Sequence, residues 1–153
     1  FLKIGQNIFI PNARLDYYAR EMMFGTFFQR PSDGQISSKY GFRLHPIYNK
    51  KLFHTGVDIS IDEGKNVYAV QDGKVIFAGE SDTYGNYVSI RHRNNFETGY
   101  AHMKNVAVKS GQNIKKGQLI GHVGNTGLST GPHLHFEIKQ KGKFLNPERF
   151  VKF

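Results

Sequence analysis

The chain has 153 residues, close to the usual size of one domain, and is long enough to bury a core without disulfides or a structural metal. It contains no cysteine, which excludes disulfides, thiolate metal sites and cysteine nucleophiles. Its net charge of +9 suits either a polyanionic partner or simply a solvated surface that keeps the chain soluble.

The first thirty residues divide into two stretches. Residues 1–11 alternate apolar and polar side chains and stop at Pro11, which indicates a short strand or an extended tail. Residues 12–24 carry apolar side chains at helical spacing behind a candidate cap at Asn12, which predicts one short amphipathic helix. Because the chain starts at Phe1 rather than Met, we expect any signal peptide or anchor to lie upstream.

From residue 31 onward the pattern is that of short strands separated by glycine turns. Residues 31–38 predict a turn and a short strand, and residues 67–80 predict a hairpin around Asp72-Gly73. Further strands are predicted at 86–92, 98–103 and 133–139. This succession predicts a mostly β fold, a sandwich or a barrel. No apolar run approaches the roughly 20 residues that a membrane span needs.

Two histidines, His133 and His135, are separated by one residue and follow a Gly-Pro turn. On a strand, alternate side chains share a face, so both rings would stand side by side with Cβ atoms roughly 6–7 Å apart. Leu134 and Phe136 would then face the opposite, apolar side. Taken alone, the pattern is more typical of an ordinary strand edge than of a metal or substrate site.

Three residues separate His54 and Asp58, in a segment whose Thr, Gly, Val and Ile content makes it a poor helix. In a straight strand the two residues would lie about 13 Å apart, so sharing an ion requires a bend, which Gly56 permits. The alternative is a capping or salt-bridging Asp beside a surface His. His102 ends a short aromatic strand and is unremarkable by itself. Together with His135, however, these residues supply the groups of an open zinc site.

The sequence resembles the lysostaphin-type, or LytM-like, zinc endopeptidases that cut peptidoglycan. The resemblance covers about residues 31–150 and implies a small, mostly antiparallel β fold with a groove over the sheet. The surrounding segments at 37–47, 85–92 and 124–138 look like the Gram-negative-style branch. The motifs that carry the resemblance are His54-Thr-Gly-Val-Asp58, Tyr100-Ala-His102 and Gly131-Pro-His133-Leu-His135.

Carried over by position, the resemblance implies that His54, Asp58 and His135 bind Zn²⁺. It also implies that His102 and His133 form a catalytic pair that does not bind the metal. One of these two would take a proton from the attacking water and the other would donate a hydrogen bond to the oxyanion, with the assignment left open. All five positions are kept, which favours an active enzyme over the family members that have lost ligands and activate amidases.

The implied reaction is hydrolysis of a peptide bond in the stem peptides or cross-links of peptidoglycan, in the cell envelope, either periplasmic or secreted. A D-Ala–diamino acid bond is favoured over a glycyl bridge. Residues 1–11 look like the end of a LysM module, which would make residues 12–30 a linker and 31–153 the endopeptidase domain. The alternative is a catalytically silent module that binds the cell wall or activates amidases. In that case residues 12–30 could cover the groove. A nucleic-acid partner would rest on charge alone, because no recognition motif is present.

Five further residues have weaker indications. His45, Arg43 and Asn86 are candidate groove residues, judged from their neighbours in the sequence alone. His92 and His122 are interpreted as structural or exposed residues outside the metal site.

Overall fold

The computed structural model describes residues 28–44 and 49–153. The predicted helix, the LysM-like tail and His45 lie outside these ranges, so those predictions stay predictions. Within them, no helix has the length and apolar character that crossing a membrane requires. Besides two 3₁₀ helices, Arg93–Asn95 and Pro147–Arg149, the regular elements are strands: β1 (Gln35–Ser38), β2 (Gly41–Leu44), β3 (Lys51–His54), β4 (Val57–Ser60), β5 (Asn66–Tyr68), β6 (Gly73–Ser81), β7 (Gly85–Arg91), β8 (Phe96–Val106), β9 (Asn113–Ile114), β10 (Leu119–Val123), β11 (His133–Gln140) and β12 (Lys143–Leu145).

Ten of these strands form one antiparallel sheet, which confirms the predicted mostly β, antiparallel fold. The main path runs β1-β4-β11-β8-β7-β6-β9, while β2 and β3 form a separate hairpin. The sheet forks at β8, the longest strand. The first part of β8 pairs with β11, and its last part pairs with β10, which in turn pairs with β5. The central position of β11 and β8 brings the predicted site residues to the middle of the sheet.

The predicted hairpin around Asp72-Gly73 is wrong. β5 pairs with β10, whereas β6 pairs with β7 and β9. The backbone between the two apolar runs has other partners, because Ala69 donates to Gln118 and Val70 accepts from Gln29. Both runs are apolar because they reach the same core, not because they pair with each other.

The core is a single cluster of aliphatic and aromatic side chains on one face of the sheet. Tyr100, Phe96 and Phe136 are its largest fully buried members. Leu134 and Phe136 lie in this core, as the alternation of β11 predicts, and His133 and His135 lie on the opposite face. One face of the central strands therefore stabilises the fold, which leaves the other free for chemistry.

Gly56 lies at the bend between β3 and β4, where the backbone passes against β11. A Cβ atom added at Gly56 would lie 2.2 Å from the carbonyl oxygen of Phe136. The glycine is therefore required by the close approach of two backbones, with no need for a left-handed φ.

We expect Gly56→Ala to lower the free energy of unfolding by about 1–3 kcal/mol, because the methyl group collides with backbone that must move. Urea unfolding of the metal-free chain measures the effect. Gly79→Ala is the matched control, since the nearest contact of its added Cβ is an ordinary 3.7 Å. Equal stability of the two variants would contradict the conclusion that the close approach of two backbones requires glycine at position 56.

Candidate functional site

The sheet register places Asp58 of β4 directly opposite His135 of β11. The Oδ1 atom of Asp58 is 2.8 Å from Nδ1 of His135. The bend at Gly56 turns His54 back toward them, so that its Nε2 lies 3.1 Å from Asp58 Oδ1 and 3.0 Å from His135 Nδ1. All three residues are buried, and their candidate ligand atoms lie within 4.8 Å of one another. The bend at Gly56 that His54 and Asp58 need in order to share an ion is therefore present.

In His54 and His135, the ring nitrogen that points away from the cluster has a hydrogen-bond partner that fixes the orientation of the ring. Nδ1 of His54 donates to the carbonyl of Lys39 at 2.8 Å, and Nε2 of His135 donates to Oε1 of Glu137 at 3.1 Å. In neutral rings, the two nitrogens that face Asp58 therefore carry lone pairs. Three acceptors this close together repel one another unless a proton or a metal cation lies between them. Two imidazole nitrogens and one carboxylate oxygen are a donor set that suits Zn²⁺, so the residues fit the ion that the sequence implied.

The pKa shifts of the cluster follow from its buried carboxylates. Burial alone would raise the pKa of Asp58, but hydrogen bonds from His135 and His54 hold it well below its usual range. Burial alone would lower the pKa of His135, but the carboxylates of Asp58 and Glu137 raise it to about 9. The carboxylates thus dominate the local electrostatics and favour a bound cation.

A bulge in the pairing of β7 with β8 sets the direction of His102. The register shifts by one residue between the pairs Val88–Tyr100 and Asn86–Met103, and His102 adopts a left-handed φ of 60°. In a regular strand His102 would share the face of Tyr100, which is the core face. The bulge instead directs the imidazole into the groove, a recurrent use of bulges beside active sites.

His102 and His133 lie together beside the cluster, with ring centres 4.8 Å apart. Nδ1 of His102 donates to the carbonyl of Thr126, and Nδ1 of His133 donates to that of Gly131, each at 2.8 Å. Each ring therefore keeps its lone pair on Nε2. Burial lowers the pKa of His102 to about 4, so this ring is neutral near pH 7. Nε2 of His133 lies 3.8 Å from Asp58 Oδ1, beside the cluster.

These five residues line one groove of about 520 Å³. Arg43 also lines it, as the sequence suggested, and its Nη2 lies 3.0 Å from Oδ2 of Asp58. The remaining walls are rich in small hydroxyl side chains: Ser37, Ser38, Thr83, Ser129 and Thr130. Such a surface offers hydrogen bonds to an extended polar chain.

The other candidates from the sequence have structural roles or lie elsewhere. Asn86 does not line the groove; its side-chain amide donates to two carbonyls of β8 and stabilises the bulge. His92 is buried, and its ring is hydrogen-bonded to Asp72 and Thr98. His122 bonds to a neighbouring Asn side chain away from the groove.

Three polar residues behind the cluster were not predicted from the sequence: Glu137, Thr55 and Tyr84. Glu137 is buried, and Oε1 of its carboxylate accepts hydrogen bonds from Thr55 Oγ1 and from the Tyr84 hydroxyl. Burial and the charge of Glu137 raise the pKa of Tyr84 to about 12, so the hydroxyl stays protonated. A signal was available for Glu137, because it is two residues after His135 and must share its face.

A family model described as Peptidase family M23 matches residues 52–147, more than half of the chain. The DD-carboxypeptidase/endopeptidase Mpg of Neisseria meningitidis serogroup B is 46% identical over 113 residues, which cover 74% of this chain and 26% of that protein. The peptidoglycan DD-endopeptidase ShyA of Vibrio cholerae is 42% identical over 123 residues, which cover 78% of this chain and 29% of that protein. The chain therefore spans between a quarter and a third of the length of these curated relatives.

A comparison with solved structures agrees with the sequence comparisons. The crystal structure of a zinc containing peptidase from Vibrio cholerae has a TM-score of 0.72 and 37% sequence identity to this chain, covering 82% of it and 40% of that chain. The family match, the relatives and this fold confirm the resemblance to lysostaphin-type zinc endopeptidases, and the chain belongs to peptidase family M23.

Proposed function

We propose that this chain hydrolyses a peptide bond in peptidoglycan, with Zn²⁺ held by His54, Asp58 and His135. The observation that carries the proposal is the convergence of three lone-pair atoms at one end of a polar groove, with two further imidazoles alongside. A relative that is named a peptidoglycan DD-endopeptidase supports the choice of polymer. We propose the bond between D-Ala and a diamino acid, since that relative acts on a DD bond by name.

Bound zinc supplies a Lewis acid that lowers the pKa of a water molecule and polarises a carbonyl. The chain's own part is to orient and to move protons. His102 and His133 form the proton-transfer pair of this proposal: one accepts the proton of the attacking water at Nε2 and returns it to the leaving amine. The other, once its Nε2 carries a proton, donates a hydrogen bond to the oxyanion, a contribution of roughly 3 kcal/mol. A pKa near 4 keeps the His102 ring neutral at pH 7, so that its Nε2 carries a lone pair.

Asp58 serves this scheme through both of its oxygens. Oδ1 faces the two ligand imidazoles, while Oδ2 is held by the guanidinium of Arg43. The charged hydrogen bond from Arg43 occupies Oδ2, so Asp58 would hold a metal through Oδ1 alone. A site of two neutral imidazoles and one carboxylate leaves the zinc with a net charge of +1, which preserves its Lewis acidity.

We also propose residues 31–153 as the peptidase domain, residues 12–30 as a linker and residues 1–11 as the end of a LysM module. Relatives that are three to four times longer than the matched segments are consistent with further modules in the whole protein. Action on peptidoglycan implies a location in the cell envelope, which we propose to be periplasmic or secreted. The positive net charge suits an anionic wall polymer.

Digestion of purified peptidoglycan tests the function. We expect the zinc-loaded chain to release peptides whose masses match cleavage between D-Ala and a diamino acid. Chelation should abolish release, and added Zn²⁺ should restore it. Release that persists unchanged after complete chelation, or the absence of any zinc-dependent product, would refute the proposal.

A further inference from the structure

We propose that Glu137 is a positioning residue that fixes both ligand-bearing segments of the zinc site through one carboxylate oxygen. The inference rests on the metal site of the proposed function. Oε1 of Glu137 accepts from Nε2 of His135 at 3.1 Å and from the hydroxyl of Thr55, the residue directly after His54. A third donor, the Tyr84 hydroxyl, lies 3.0 Å away. One oxygen atom thus connects the strand of His135 to the bend that follows His54.

The burial of Glu137 argues for a role beyond packing. Its side chain is 1% exposed, and removing a carboxylate from water is costly unless hydrogen bonds and charges compensate. An apolar residue at this position would serve the stability of the sheet as well or better. The carboxylate is therefore best explained by what it orients, which is the imidazole of His135.

The orientation matters because the two ligand histidines face the cluster with different nitrogens. His54 presents Nε2, whereas His135 presents Nδ1. Presenting the Nδ1 lone pair requires the proton of a neutral ring to sit on Nε2, which needs an acceptor on the far side. Glu137 provides that acceptor, and a carboxylate also makes the ring a stronger electron donor to a metal.

The neighbouring strand makes room for this carboxylate. Gly99 of β8 is the register partner of Glu137. A Cβ atom added at Gly99 would lie 3.2 Å from Oε2 of Glu137 and 2.6 Å from the Tyr87 hydroxyl. The backbone opposite is therefore shaped to admit a carboxylate and a phenol where a larger residue would displace them.

Zinc affinity of the whole chain, measured by competition with a chromophoric chelator in the absence of peptidoglycan, tests the role of Glu137. We expect Glu137→Ala to weaken zinc binding about 10- to 100-fold. Glu137→Gln should weaken it less than about 10-fold, because its amide oxygen still accepts from Nε2 of His135. With Co²⁺ as a probe, the visible spectrum of Glu137→Ala should shift relative to the wild type, while that of Glu137→Gln should stay close to it.

Glu97→Ala is the matched control, since Glu97 lies on the adjacent strand and pairs with exposed Arg91 instead of a ligand. It should bind zinc as the wild type does. A cooperative unfolding transition of each metal-free variant would show that the substituted chain is folded before unfolding. Wild-type affinity in Glu137→Ala, or equal losses in the Ala and Gln variants, would overturn the proposal. A wild-type chain that binds zinc but cuts no peptidoglycan would refute the proposed function only.

Discussion

Replacing His135 with alanine is expected to remove both the bound zinc and the peptidase activity. Its Nδ1 lies 2.8 Å from Asp58 Oδ1 and 3.0 Å from His54 Nε2, so the substitution deletes one of the three converging atoms of the proposed zinc site. Metal catalysis supplies several kcal/mol, and each 1.36 kcal/mol is tenfold in rate, so hydrolysis should fall by about three orders of magnitude or more. Metal analysis of the purified chain and the rate of peptide release measure the two losses.

His122→Ala is the control for this result, because His122 is bonded to Asn105 and does not line the groove. It should keep about one zinc per chain and full activity. An His135→Ala chain that still holds zinc at wild-type affinity would show that the ligand assignment is wrong.

Replacing His102 is expected to separate metal binding from turnover. The ring lies in the groove beside His133, and its Nδ1 is held by the carbonyl of Thr126, as a proton-transfer group requires. The His102→Ala variant should therefore retain zinc, but its kcat should fall by about 10²–10⁴-fold. Zinc content and steady-state kinetics on isolated peptidoglycan fragments distinguish this outcome from that of His135→Ala.

The left-handed φ of His102 calls for two variants. Asparagine tolerates this backbone region better than alanine, so His102→Asn keeps the bulge while removing the imidazole. Both variants should be equally inactive, and only His102→Ala should lose stability. Loss of zinc from His102→Asn would place His102 among the ligands instead.

The pair His133 and His135 shows what periodicity can predict. β11 is a regular strand, so alternation correctly places both rings on one face and Leu134 and Phe136 in the core. The same reasoning would have placed Glu137 behind His135, but a Glu in a strand is common and its burial is set by tertiary packing. The sequence showed that His54 and Asp58 could share an ion only if the chain bends at Gly56. The cause of the bend, the close approach of Phe136, depends on a strand eighty residues away.

Two features were beyond the reach of local patterns. The turn signal at Asp72-Gly73 marks a change of direction but does not say which strands will pair, and both flanking strands found other partners. The direction of His102 follows from a bulge, which breaks the alternation on which strand predictions depend. A bulge is created by the register of the neighbouring strand, so it cannot be read from the segment that contains it.

The contact of Gly56 with Phe136 has a consequence for how the proposed zinc site would exchange its ion. The backbones that carry His54 and His135 touch at this point, so the distance between these two proposed ligands is set by the chain itself. A cradle of fixed width need not assemble around each arriving ion, and loading should proceed without refolding. Fixed spacing also means that ions of similar radius can replace one another in a folded chain, so that the metal found in the purified protein reflects supply as well as preference.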